Sequence, residues 1–133
     1  MGVKVYFAVP LIANRELEKA RRIVGILDRL GCEVVSKWVL DSSLSSTYTA
    51  RSIYERDTNA VKQCEVLVAE ASKPSHGVGM EVMLAHILGK KVICVYEKNT
   101  ALSNLIRGMP DALLVEYSSI GDLEIKLRIA IAA

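Results

Sequence analysis

Residues 65–81 read EVLVAEASKPSHGVGME, and how they divide decides the fold. Val66–Ala69 is a short unbroken apolar run. Ser72-Lys73-Pro74-Ser75-His76-Gly77 is rich in turn formers, and Val82, Met83, Leu84, Ile87 and Leu88 then follow a helical pattern. The reading is buried strand, loop, then a helix over about 80–88 that stops at Gly89. In an open α/β sheet such loops lie beyond the carboxyl ends of the strands, where ligands bind. Gly77 and Gly79 would let the backbone approach a ligand closely, and free N–H groups at a helix start attract an anion. Glu81 would stand in the first helical turn, where the dipole favours its ionised form. An ionised carboxylate beside an anion pocket suits a nucleophile. An acidic residue in a first turn also serves helix stability alone, and the spacing does not choose between the two roles.

Working outward, the same alternation recurs. VKVYFAV at 3–9 is β-rich and ends at Pro10. Asn14 is a candidate N-cap for a helix in which Leu17, Ala20, Val24 and Leu27 share a face, and Gly31 stops it. Cys32 to Ser36 forms a second short strand. Residues 37–49 are the longest polar stretch, and Ser42–Ser46 has no periodicity; it reads as a mobile loop, either a binding edge or inert surface. Helical spacing resumes near residue 49, through Ile53, Tyr54, Asp57 and Val61. Beyond the central segment come a strand at Val92–Tyr96, a short helix at 101–107 closed by Gly108, a strand at Ala112–Tyr117, and a helix capped by Ser119. In that last helix Leu123, Leu127 and Ile131 share a face, while Ile125 and Ile129 lie off it.

Strands that are apolar throughout and alternate with helices require a parallel sheet covered on both faces. A flavodoxin-like three-layer α/β sandwich, five strands in the order 2-1-3-4-5, fits best, with its switch point between the first and third strands. The loops after residue 8 and after residue 70 should then face each other across the crevice.

The chain has 133 residues, which predicts a single domain over 1–133 with an adequate core. Its net charge of +2 comes from 17 scattered basic and 15 acidic residues, too balanced to indicate a nucleic-acid or membrane partner. Three cysteines, Cys32, Cys64 and Cys94, form no metal-ligand spacing and suggest reduced thiols and a cytoplasmic location. His76 and His86 stand ten apart without a cysteine partner, so no metal site is expected. No cofactor is expected either. The first ten residues do not resemble a signal peptide, and no apolar run has the length of a membrane span.

The central motif VLVAEASKPSHGVGMEV, with IYERD at 53–57, VYFA at 5–8 and ALSNLIRG at 101–108, resembles the 2'-deoxynucleoside 5'-phosphate N-hydrolases of the nucleoside 2-deoxyribosyltransferase superfamily. That resemblance implies hydrolysis of the N-glycosidic bond of (2'-deoxy)nucleoside 5'-monophosphates. A carboxylate attacks the anomeric carbon and expels the base, and water then releases the sugar phosphate. It implies that Glu81 is the nucleophile, that Asp57 assists the departing base, and that Tyr6 orients Glu81. Ser75, with the backbone around Gly77 and Gly79, would hold the phosphate. Ser103 would reach the neighbouring subunit's site, which implies a homodimer with shared active sites. Cleavage of this kind commonly uses two carboxyl groups in different protonation states.

One departure bears on the substrate. The family's first loop reads like Gly-Ser-Ile-Arg-Gly-Gly, whereas here it is Val9-Pro10-Leu11-Ile12-Ala13-Asn14, with Arg15 displaced. A Pro-Leu loop is closer to deoxyribosyltransferase relatives that act on unphosphorylated substrates. A deoxyribosyltransferase and a non-catalytic nucleotide-binding module therefore stand as the alternatives. A receiver-like signalling domain would need an acidic cluster after the first strand, and Ala8-Val9-Pro10 has none.

Overall fold

The computed structural model describes residues 2–10, 17–41 and 48–133. Five parallel strands form its sheet: β1 (Lys4–Ala8), β2 (Glu33–Val34), β3 (Val66–Glu70), β4 (Lys91–Glu97) and β5 (Leu113–Tyr117). They lie in the order β2-β1-β3-β4-β5, the one expected as the best fit to the alternation of apolar strands and helices. β1 pairs with β3 from Val5↔Val66 to Ala8↔Ala69. The chain therefore reverses direction across the sheet between these two strands, and their carboxyl ends open side by side.

Strand periodicity divides the core into two layers. Val5, Phe7, Val66, Val68, Ile93 and Val95 face α1 (Leu17–Arg29) and α5 (Ile120–Ala132). Tyr6, Ala8, Leu67, Ala69, Val92 and Cys94 face α2 (Ala50–Gln63) and α3 (His76–Ile87). Helix α1 buries Ala20, Ile23, Val24, Ile26 and Leu27. It ends where Gly31, at φ 81°, lets Cys32 N–H reach back to the Leu27 carbonyl at 3.0 Å, the αL cap that glycine favours. A short helix, α4 (Asn104–Arg107), follows β4. On α5, Leu123 and Leu127 are buried, whereas Ile125 and Ile129 are exposed, as their spacing suggests.

Three boundaries differ from the sequence reading. The second strand is only two residues long, and Ser36 takes over where it stops. Its Oγ accepts the Phe7 N–H at 2.8 Å and donates to the Phe7 carbonyl at 3.0 Å, closing the end of β1 in place of a ladder pair. Residues Lys37–Leu40 form a 3-10 helix rather than the start of a polar loop, because Val39 is buried and Trp38 packs on both core layers. Helix α3 begins at His76, not near residue 80. Asn14 and Ser42–Ser46 lie outside the described residues.

Candidate active site

The early start of α3 changes what Glu81 is. Ser75 is the N-cap: its Oγ accepts the Val78 N–H at 3.3 Å and its carbonyl accepts the Gly79 N–H at 3.1 Å. Gly77 and Gly79 are therefore helical residues, neither with a positive φ, and a Cβ at either position would meet nothing within 4 Å. Only the N–H groups at the very start, such as those of His76 and Gly77, lack an intrahelical acceptor. Glu81 is the sixth residue of the helix, beyond the turn where the dipole acts. The expectation that it is held ionised at a helix N-terminus is thereby overturned.

What governs Glu81 is its neighbours. It points at the sheet, where Tyr6, buried in the middle of β1, donates its hydroxyl to Glu81 Oε2. Asp57, on the facing side of α2, stands alongside. Burial pushes the Glu81 carboxyl up to about 7, and the Asp57 charge and hydrogen bond push the same way. The Tyr6 hydroxyl and the Arg56 charge pull it back. Tyr6 itself is raised far above the phenol range by burial and by Glu81, so it remains a donor throughout the neutral range. Two carboxyls and a phenol thus converge from β1, α2 and α3. A cavity of about 470 Å³ opens beside them, lined by Tyr54, Asp57, Gly77, Met80, Glu81 and Leu84 among others.

The remaining sequence candidates lie partly elsewhere. Ser75, Gly79 and Ser103 line a second, mostly apolar cavity of about 700 Å³, with His76, Met83 and Ile106. The two cavities share Met80 and are otherwise lined by different residues of α3. Ser103 caps α4, its Oγ accepting the Leu105 N–H at 3.2 Å. The chain's own Ser103 and Glu81 therefore do not open onto one cavity. Arg15 lies outside the described residues.

Beside the carboxyl pair, Trp38 and Tyr48 escaped the sequence reading, and Arg56 was legible only as a neighbour of Asp57 in the IYERD motif. Arg56 Nε donates to Asp57 Oδ1 at 2.8 Å, and its guanidinium lies 4.4 Å from the Trp38 ring and 5.2 Å from the Tyr48 ring. Trp38 also meets Tyr6 edge to face, with ring centres 6.1 Å apart. The one available signal was the chain's single tryptophan, set in a stretch otherwise read as polar loop.

The opposite face carries a second polar cluster. Buried Glu70 accepts the Ser72 N–H at 2.7 Å, the Ser72 hydroxyl at 3.0 Å and the Tyr117 hydroxyl. Ser72 Oγ in turn accepts the Glu97 N–H at 2.9 Å. This network ties the β3–α3 connection to β4 and β5. Among the described residues no His, Cys, Asp and Glu group suits a metal ion, and no helix is long and apolar enough to cross a membrane.

Residues 5–121 match the family model described as nucleoside 2-deoxyribosyltransferase. A protein of Thermofilum pendens provisionally named 2'-deoxynucleoside 5'-phosphate N-hydrolase 1 is 35% identical over 132 residues, covering 94% of this chain and 92% of its own. The 5-hydroxymethyl-dUMP N-hydrolase of Rattus norvegicus is 36% identical over 115 residues, covering 80% of this chain and 70% of its own. Among solved structures, the CMP N-glycosidase BcmB of Clostridium botulinum superposes with a TM-score of 0.70 at 23% identity, covering 93% of this chain and 97% of its own. BlsM superposes at 0.81 and 19%, covering 98% and 90%. At those identities the structures support the shared fold.

Proposed function

Because the chain belongs to the nucleoside 2-deoxyribosyltransferase family, we propose that it hydrolyses the N-glycosidic bond of 2'-deoxynucleoside 5'-monophosphates, releasing free base and sugar 5-phosphate. The observation that carries this reading is the Tyr6–Glu81 hydrogen bond with Asp57 beside it. The names of its relatives, N-hydrolases of nucleotides, support the substrate class.

Glu81 attacks the anomeric carbon, and the carbon–nitrogen bond breaks as the carbon–oxygen bond forms. Asp57, a carboxylate paired with Arg56, is the hydrogen-bond partner of the departing base and relays to it the proton of the water that follows. Water then cleaves the glycosyl ester, with Asp57 accepting a proton, and Glu81 is regenerated. Tyr6, held protonated by its surroundings, steadies the attacking carboxylate and sets its orientation. At the start of α3, Gly77 lines the Glu81 cavity, and its N–H, which has no intrahelical acceptor, is a donor for a phosphate.

Ser103 supports a shared-site homodimer. It lines a cavity that its own Glu81 does not, which fits a role at a neighbouring chain's site. Exposed Met80, Ile87 and Leu105 provide apolar surface for that contact. Three free, buried thiols fit a reducing, cytoplasmic setting.

The test is a panel of deoxy- and ribonucleosides, each with and without the 5'-phosphate, scored for free base. Release confined to deoxynucleoside monophosphates is expected, and no release from any member would end the proposal. The Val9-Pro10 departure favours one second reading, transfer between bases on unphosphorylated substrates. An added acceptor base separates it by yielding a new nucleoside.

A further inference from the structure

The carboxyl pair has a third partner whose placement is more elaborate than a surface ion pair needs. The Arg56 side chain is only 24% exposed, and Asp57 17%. The guanidinium lies over the Trp38 face at 4.4 Å and reaches the Tyr48 ring at 5.2 Å. Its Nε–H is committed to a single Asp57 oxygen. A cation stacked on aromatic rings loses the freedom of an ordinary arginine, and its planar fork fixes the carboxylate it bonds. Trp38 offers its ring and not its donor, for the buried indole N–H finds no hydrogen-bond partner among the described residues. Trp38 in turn abuts Tyr6, which bonds Glu81. Among the described residues, the titratable and charged groups facing Glu81 are Tyr6 from β1 and Asp57 and Arg56 from α2.

We propose that Arg56 is the positioning residue of this pair: clamped by Trp38 and Tyr48, it holds Asp57 by one oxygen and sets its own positive charge towards Glu81, so that the nucleophile is kept ionised and the aspartate's other oxygen faces the leaving base. The inference rests on the proposed hydrolysis for its catalytic meaning; the coupling of Arg56 to Glu81 rests on the chain of contacts through Asp57, Trp38 and Tyr6 and on the pull of the Arg56 charge on the Glu81 carboxyl. Two roles of one side chain are separable. Arg56→Met removes charge and clamp together. Arg56→Lys keeps the charge but loses the planar fork, and Trp38→Leu removes one side of the clamp.

The experiment combines the pH profile of kcat/KM for base release with a carbon-13 NMR titration of the Glu81 carboxyl, which needs no substrate. In Arg56→Met the titration and the acid limb should both move up by about one pH unit. Base release at pH 6.5 should fall about tenfold or more, with most of the charge-dependent part of the loss regained near pH 9. A merely structural role would give no such recovery. Arg56→Lys and Trp38→Leu should leave the acid limb near its wild-type position and lower kcat about tenfold with little change in KM. If Arg56→Met titrates and turns over like the wild type, the inference fails while the hydrolase reading stands. If the wild type releases no base but Glu81 still shifts in Arg56→Met, the hydrolase reading fails and the coupling is upheld.

Discussion

At the scale of the residue, Glu81 is held between two demands. Burial raises its carboxyl to about 7, yet attack on a sugar carbon needs the ionised form. Activity should therefore fall on the acid side of an inflection near pH 7, about tenfold per unit below it, in a kcat/KM profile. Glu81→Gln should cost about 10³-fold or more in base release with the fold intact by circular dichroism. The same shift makes a stability claim of the opposite sign. The native carboxyl titrates higher than the unfolded one, so between about pH 4.5 and 7 the native state binds more protons. Stability then falls as pH rises through that window. Glu81→Gln escapes the loss, and at pH 8 it should be more stable than the wild type by about 1–3 kcal/mol, the two converging near pH 4 in urea titrations. Tyr6→Phe removes a donor that lowers the Glu81 pKa, so its acid limb should move to higher pH as kcat falls.

At the scale of the element, α3 carries the site and its start is the part that the sequence obscured. Two glycines among the first four residues of α3 have poor helix propensity and read as loop. The Ser75 cap and the packing of Val78, Val82 and Ala85 override that preference. Since added methyl groups at Gly77 and Gly79 would meet nothing, Gly79→Ala should raise stability by about 0.5–1 kcal/mol. Ser75→Ala should lower it by about 0.5–2 kcal/mol. Thermal or urea unfolding of both variants checks the pair, and a stabilised Gly79→Ala that loses base release would mark close approach by substrate. The strands were legible because burial on both faces leaves long apolar runs, and their order was the best fit to the helices between them. Tyr6, Asp57 and Glu81 were legible through the motifs that carry them. The Arg56 clamp was not, since it depends on a 3-10 helix bringing Trp38 against α2, a contact between segments that no local pattern encodes. The Glu81 pKa was missed for the same reason: its causes come from three separate elements.

At the scale of the whole molecule, the division of the candidate residues between two cavities leads to a definite expectation about assembly. Glu81 and Asp57 open on one cavity, Ser103 on the other. If each site of the proposed dimer takes its acid pair from one chain and Ser103 from its partner, two crippled chains should restore each other. Glu81→Gln has no nucleophile but an intact Ser103. Ser103→Trp keeps its nucleophile but blocks the position it presents to the neighbouring chain. In a mixed dimer, one site inherits Glu81 from the second variant and Ser103 from the first, and is fully wild type; the other carries both defects. Unfolding and refolding the two variants together at equal amounts gives about half mixed dimers by random pairing, each with one good site in two. Base release should then reach about one quarter of the wild-type rate, far above either variant alone. A chain that works alone would give no more than the mean of the two separate preparations. Changing Ile87 to Glu on the same apolar face should abolish the recovery and reduce the mass seen by light scattering, since a charge there has to be desolvated on association.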